Sequence, residues 1–277
     1  MMPADIIKLA LKEDLGDVGD ITSNYFIPPN SFSRAAIIAR TTGVLSGVAV
    51  AREVFFAVDR SITVIEEKND SDAVFAGEKI LSIYGPTRSI LAAERVALNF
   101  LQHLSGISTL TAKFVSLAKT GGARIVDTRK TLPGLRALEK LAVTHGGGHN
   151  HRMGLYDSIL VKDNHLTAIG KNPSVLRSVI KKIREEQKNI LIEIEADSIQ
   201  DAENFADIGV DIILLDNMAV EELREAVRVI SKRARTEASG GVTLENVAEI
   251  SQTGVDDISI GALTHSAPAL DVALDFV

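Results

Sequence analysis

The chain has 277 residues, enough for one large domain or two modest ones, each with its own core. Apolar residues make up 45% and charged residues 24%, an ordinary globular balance, and charges interrupt every apolar run long enough to suggest a membrane span. A formal net charge of -7, no Trp and 4% aromatic residues argue against a nucleic-acid binder, and the lack of Cys excludes disulfides, thiolate zinc sites and cysteine nucleophiles.

Met1-Met2-Pro3-Ala4-Asp5 lacks the basic and apolar regions of a secretion signal, so a cytoplasmic location and no membrane partner are expected. Residues 5–15 form a predicted amphipathic helix, with Ile6, Ile7, Leu9, Ala10 and Leu11 on its apolar side. The acidic, glycine-containing stretch 14–20 follows as a loop and is assigned no chemistry. Short β-like runs come next at 35–39, 62–65 and 79–84, bounded by Pro28-Pro29-Asn30, Asn69-Asp70 and Gly85-Pro86. A helix at 49–58 is the one interruption, which predicts an α+β domain on an antiparallel sheet. Residues 87–119 are helical throughout, with Leu91, Ala92, Val96, Leu98, Phe100 and Leu101 on a broad apolar face. Ser105-Gly106 is expected to divide this stretch into two helices.

After Gly121-Gly122 the rhythm becomes strand, loop, helix, repeated. Strands are predicted at 124–126, 158–161, 191–194, 212–215, 236–238 and 258–260, with helices at 173–186, 198–206, 220–234 and 244–253. That alternation implies a parallel sheet with helices outside it. No dinucleotide Gly-x-Gly-x-x-Gly opens it. Six strands fall short of eight, so the fold class is α/β: an incomplete (β/α) TIM-like barrel preceded by an α+β sandwich domain. The domains are expected at 1–104 and 105–277, with the C-terminal tail packing back on the first.

The unusual residues follow the strands, where barrels place their chemistry. Asp127, Arg129 and Lys130 follow the first; a guanidinium fork beside a compact ammonium suits a carboxylate or phosphate. A solvated turn is the plain alternative. His145-Gly146-Gly147-Gly148-His149-Asn150-His151-Arg152 ranks as an anion site first, a metal site second and an ordinary loop third, because no carboxylate lies among its histidines and Arg152 repels cations. Lys162-Asp163-Asn164-His165 presents a functional Lys162, with Asp163 or Asn164 capping a helix. Glu195 and Asp216 could hold Mg2+ or sugar hydroxyls, with helix capping as the competitor. Glu193, alternating with Glu195, is expected on the opposite face of that strand, so that one of the two faces the barrel interior. Ser239-Gly240-Gly241 and Gly261-Ala262 offer backbone N–H groups to a phosphate. Arg95 and His103 read as ordinary helical residues. On composition alone a histidine metal hydrolase and a non-catalytic anion-binding protein also remain open.

Ala93-Glu94-Arg95-Val96-Ala97-Leu98-Asn99-Phe100-Leu101, Asp127-Thr128-Arg129-Lys130-Thr131, Gly146 through Leu155, Leu160 through His165, Ile213 through Met218, Glu237 through Gly241 and Gly261 through Ser266 together resemble the quinolinate phosphoribosyltransferases, or carboxylating nicotinate-nucleotide pyrophosphorylases. The likeness runs along nearly the whole chain. It implies reaction of quinolinate with phosphoribosyl pyrophosphate to nicotinate mononucleotide, pyrophosphate and CO2, within NAD biosynthesis and with Mg2+. It carries Arg129, His151, Arg152, Lys162 and Lys130 over as quinolinate contacts, with Lys130, Lys162, Glu195 and Asp216 as the catalytic set. Glu195 and Asp216 fall in the ribose and metal region. Ser239, Gly240, Gly241, Gly261 and Ala262 fall at the 5′-phosphate. Arg95 is implied to reach the partner's site, which makes a homodimer the minimal active unit and leaves further assembly open. A related group linked to molybdenum uptake shares the fold; the Arg129-Lys130 and His151-Arg152 pairs favour quinolinate.

Overall fold

The computed structural model describes residues 3–170 and 172–277, so Met1, Met2 and Lys171 lie outside it, including the first two residues of the leader reading. The chain divides into two compact units. The first comprises Met1–Ala112, Lys130–Gly147 and Ala262–Val277, and the second Lys113–Arg129 and Gly148–Gly261. These compact units do not follow a single cut in sequence, because residues 130–147 and 262–277 lie in the first unit.

The first unit contains α1 (Pro3–Leu15), α2 (Ile21–Phe26), β1 (Phe32–Ala39), β2 (Gly43–Val44), α3 (Val48–Val58), β3 (Thr63–Glu66), β4 (Ala73–Val74) and β5 (Lys79–Pro86). It also contains most of α4 (Thr87–Ala118). Asp20 closes the acidic loop by accepting the Ser23 N–H at 3.0 Å, which caps α2. Val48, Ala51, Val54 and Phe55 of α3 are buried at helical spacing. Each large apolar side chain so buried stabilises by about 1.5–3 kcal/mol.

The predicted break at Ser105-Gly106 does not occur: α4 runs unbroken for 32 residues. Both residues serve packing instead. The Ser105 hydroxyl donates to Ser46 O and accepts from Ser46 N–H, each at 3.0 Å. A Cβ at Gly106 would overlap the Pro268 carbonyl, so the glycine admits a neighbouring backbone.

The second unit holds β6 (Arg124–Val126), β7 (Ile159–Val161), α6 (Asp163–Ile169), α7 (Pro173–Glu186), β8 (Ile192–Ala196) and α8 (Ile199–Ile208). It continues through β9 (Ile212–Asp216), α9 (Val220–Ile230), β10 (Arg235–Ser239), α10 (Val247–Ser251) and β11 (Asp257–Ser259). Its sheet is parallel, in the order β6-β11-β10-β9-β8-β7. β6 and β7 occupy opposite edges and do not pair with each other, so the barrel is incomplete, as the strand count predicts. The central β8 is buried at all five positions, as a parallel strand covered on both faces should be. α9 stops before residue 234 because Ser231 and Lys232 adopt positive φ.

The remaining elements, α5 (Arg136–His145), α11 (Ala262–His265) and β12 (Val272–Phe276), belong to the first unit. β12 pairs antiparallel with β1, from Ala35↔Phe276 to Ala39↔Val272, and so completes a four-stranded sheet ordered β12-β1-β5-β3. The chain's last strand thus lies beside its first. No described helix is long and apolar enough to cross a membrane.

Candidate active site

The C-terminal ends of the parallel strands gather most of the expected residues. Asp127, fully buried after β6, accepts the His151 backbone N–H at 2.9 Å through Oδ1. Its own N–H donates to His149 O at 3.1 Å, and His149 N–H donates to Ile125 O at 2.8 Å. The loop 149–152 is thereby laid along the edge strand. Arg152 Nη1 donates to Ser158 O at 3.4 Å. Burial pushes the Arg152 guanidinium below its usual range and neighbouring Arg129 pushes it further, while Glu193 and Asp157 oppose. Two cations are thus held close together with part of their hydration removed.

Lys162 Nζ lies 3.5 Å from Glu195 Oε2. Burial raises the Glu195 carboxyl; Lys162 counters it, and Asp216 and Asp163 add to the rise. Glu195 and Asp216 close the neighbouring strands β8 and β9, and Asp216 Oδ2 accepts from Asn217 Nδ2 at 2.7 Å. Neither acid caps a helix. Ser198 caps α8 by accepting the Asp201 N–H, and the Glu222 carboxylate accepts the Ala219 N–H at the start of α9. At the start of α6 the Asp163 carboxylate accepts the Asn164 N–H at 2.7 Å, and the His165 ring accepts the Lys162 N–H at 2.9 Å.

Glu193 and Glu195 share a face. Residues two apart in a strand point the same way, so the expected opposition was an error of period. Glu193 meets His151 Nε2 at 2.9 Å, and Glu237 of β10 lies 3.5 Å from the same nitrogen. Carboxylates therefore do reach a histidine of the glycine-rich loop; they come from distant strands. His145 and His149 do not join them: His151, Glu193 and Glu237 form the one metal-competent group among the described residues. His145 Nδ1 instead lies 2.9 Å from Ser46 Oγ within the first unit. Gly146 fits against helix α4, where a Cβ would lie 2.7 Å from Thr111 Cβ.

Ser239 O accepts the Asn217 N–H at 2.8 Å, which ties the β10 loop to the end of β9. Gly240 and Gly241 have φ of 91° and 61°. Arg95, Lys130 and Ala262 belong to the first unit. Arg95 is exposed on α4, and the Lys130 carbonyl accepts from Thr264 Oγ1 at 2.8 Å. His103 is a packed helical residue, paired with buried Glu139 at 2.8 Å. Glu237 is the residue the sequence reading missed. Alternation along β10 places Arg235, Glu237 and Ser239 on one face, and that signal was available.

Residues 107–275 match the quinolinate phosphoribosyl transferase C-terminal domain, and residues 20–105 match the N-terminal domain of the same family. A mitochondrial quinolinate phosphoribosyltransferase [decarboxylating] 2b of Nicotiana tabacum is 43% identical over 285 residues, covering 98% of this chain and 81% of the relative. A probable nicotinate-nucleotide pyrophosphorylase [carboxylating] of Bacillus subtilis is 40% identical over 263 residues, covering 95% and 89%. The crystal structure of nicotinate-nucleotide pyrophosphorylase from Ehrlichia chaffeensis superposes with a TM-score of 0.93 at 39% identity, over 100% of this chain and 99% of that one.

Proposed function

Because this chain belongs to the quinolinate phosphoribosyl transferase family, we propose that Arg129 and Arg152 receive the two carboxylates of quinolinate, with His151 lining the pocket beside them. The chain converts quinolinate and phosphoribosyl pyrophosphate to nicotinate mononucleotide, pyrophosphate and CO2, a step in making NAD. The observation that carries the residue assignment is the Arg129–Arg152 pair. Burial and the nearby Arg129 both disfavour the charged form of Arg152, and an anion bound there offsets that cost. Adjacent carboxylates can engage such forks bidentately.

That grip fixes the pyridine nitrogen toward the anomeric carbon of the sugar, a positioning effect. As pyrophosphate leaves, positive charge builds on the ribose. Glu195, whose burial-raised carboxyl Lys162 opposes, and Asp216 stabilise that charge electrostatically. The nitrogen's new bond makes it a pyridinium, which accepts the electron pair released when CO2 departs. No protein nucleophile is needed. Ser239, Gly240 and Gly241 with Gly261 and Ala262 receive the 5′-phosphate, and Lys130 joins the anion contacts through the family pattern. Glu195 and Asp216 offer hard oxygen donors whose mutual repulsion a divalent cation relieves, so they fit a role in holding Mg2+, which would neutralise the leaving pyrophosphate. A homodimer in which Arg95 of one protomer serves the other, acting in the cytoplasm, completes the reading.

The assay is quinolinate-dependent release of CO2 and pyrophosphate with Mg2+ present. Pure protein that binds both substrates yet forms no nicotinate mononucleotide would sink the assignment. Inactive Arg95→Ala and Arg152→Ala chains, mixed, should recover part of the activity; proven heterodimers without recovery refute the shared site.

A further inference from the structure

Side chains facing inward on a parallel barrel are usually apolar. Here the strands of the second unit carry charge on that face. Glu237 lies level with Asp257 of β11 and with Leu214 of β9, and Glu193 lies level with Ile212. The glutamate side chains are each 3% exposed and His151 is 13% exposed. Glu193 Oε1 and Glu237 Oε1 are buried without a hydrogen-bond partner.

One histidine and two carboxylates would suit a metal ion by composition alone. The hydrogen bonds argue otherwise. Arg152 backbone N–H donates to His151 Nδ1 at 2.7 Å, so that nitrogen bears no proton. A neutral ring assigned from this bond carries its proton on Nε2, the atom that faces both carboxylates. Metal ligation through Nε2 would shift that proton to Nδ1 and set it against the Arg152 N–H. The trio is therefore built to hold protons.

With both acids ionised, two buried charges would share one N–H. A proton on one acid removes the repulsion and supplies a donor. Glu237 is the better holder. Facing it are Glu193 and His151, with Asp257 and Ser259 of β11; of the three arginines lining the same cavity, Arg124 and Arg235 are engaged by Asp257 and the third is Arg152. His149 also acts on Asp257. Glu193, by contrast, supports the charge of Arg152. Burial first, then Glu193, pushes the Glu237 carboxyl up to about 8, against the opposing effects of His151 and Ser259.

We propose that Glu237 is a positioning residue of the quinolinate pocket: a neutral carboxylic acid that, beside Glu193, fixes the His151 ring with its proton on Nε2 and keeps negative charge away from a site that receives a dianion. This rests on the quinolinate assignment above.

The test compares wild type, Glu237→Gln and Glu193→Gln as full-length enzyme, with kcat and KM for quinolinate measured from pH 6.5 to 9.5. Wild-type KM should rise on the order of tenfold across the alkaline half, with kcat moving less, since one charge felt at about one pKa unit is a factor of ten. Glu237→Gln, which mimics the neutral acid, should keep the pH 7 KM within about twofold and flatten that rise, whereas Glu193→Gln should raise the pH 7 KM about tenfold. A tenfold higher KM for Glu237→Gln at pH 7, or an undiminished alkaline rise in that variant, overturns the proposal. So does one transition-metal ion per chain that Glu237→Gln releases. Infrared difference spectra keep the two readings separate. A buried carboxylic-acid carbonyl band that wild type loses between pH 7 and pH 10 supports the proposal even without quinolinate turnover, which would sink the activity alone. Absence of that band in active wild type refutes the protonated Glu237 without any variant.

Discussion

Gly240→Ala strikes both halves of the proposed sugar-phosphate site at once. Gly240 has φ of 91°, where a residue with a Cβ is strained by about 1–2 kcal/mol. The added Cβ would also lie 2.6 Å from Asn217 Cγ and 3.2 Å from Asn217 N, and would overlap the side-chain oxygen. The Asn217 side chain must then turn away and release its 2.7 Å bond to Asp216, a loss of about 1 kcal/mol. Gly240→Ala should therefore cost about 2–3 kcal/mol in urea unfolding. Gly241 separates the two contributions. It too has positive φ but no atom within 4 Å of its Cβ position, so Gly241→Ala should cost only about 1–2 kcal/mol. Because the Gly240 overlap frees Asp216, KM for phosphoribosyl pyrophosphate should rise about tenfold more in Gly240→Ala than in Gly241→Ala. In an Asn217→Ala background the excess should vanish, a coupling of about 1 kcal/mol. Additive effects across that cycle would show that the glycine does not act through Asn217.

Three further outcomes follow from the same geometry. Asp127→Ala removes the acceptor for the His151 N–H, so stability should fall by about 1–3 kcal/mol and KM for quinolinate should rise more than kcat falls; an unchanged KM in steady-state kinetics would refute the tether. Lys162→Met removes the cation that opposes the raised Glu195 carboxyl, so the acid limb of the kcat/KM profile should move to higher pH; an unmoved limb would mean that Glu195 does not titrate in the rate. Chelation of divalent cations should abolish turnover until Mg2+ is returned, while quinolinate binding measured by calorimetry persists; turnover that survives chelation removes the metal from Glu195 and Asp216.

Strand rhythm carried much of the fold. Every predicted barrel strand overlaps an observed one, because short strands alternate regularly with loops and helices along this half of the chain. Glycine misled where its role was tertiary: Gly106 fits against the backbone near Pro268, a partner far along the chain and invisible in local pattern. The strand-end cations were legible for a local reason, since they stand outside the apolar runs. The pairing of the acids inside the strands was not. Glu237 sits between Thr236 and Ala238, and its meaning depends on β8 and on a loop some eighty residues earlier. Fold recognition needed only periodicity; the proton-holding trio needed the strand order.

The interior charges give the second unit an arrangement that is hard to explain by stability alone. Asp257 is held by both Arg124 and Arg235, a cluster with one net positive charge. His151 with Glu193 and a protonated Glu237 then carries one net negative charge, and Arg129 with Arg152 carries two positive. The Arg124 and Arg235 side chains are each 44% exposed, so their pairs with Asp257 stabilise by only about 0–1 kcal/mol. Their worth therefore lies in the field they make. Each cluster serves as counter-charge to its neighbour, and the arginine pair presents a surplus of positive charge to an incoming anion. Ionising Glu237 would cancel that surplus from inside the protein and leave quinolinate less to bind. Any change that adds negative charge at Glu237 must therefore weaken capture of the dianion.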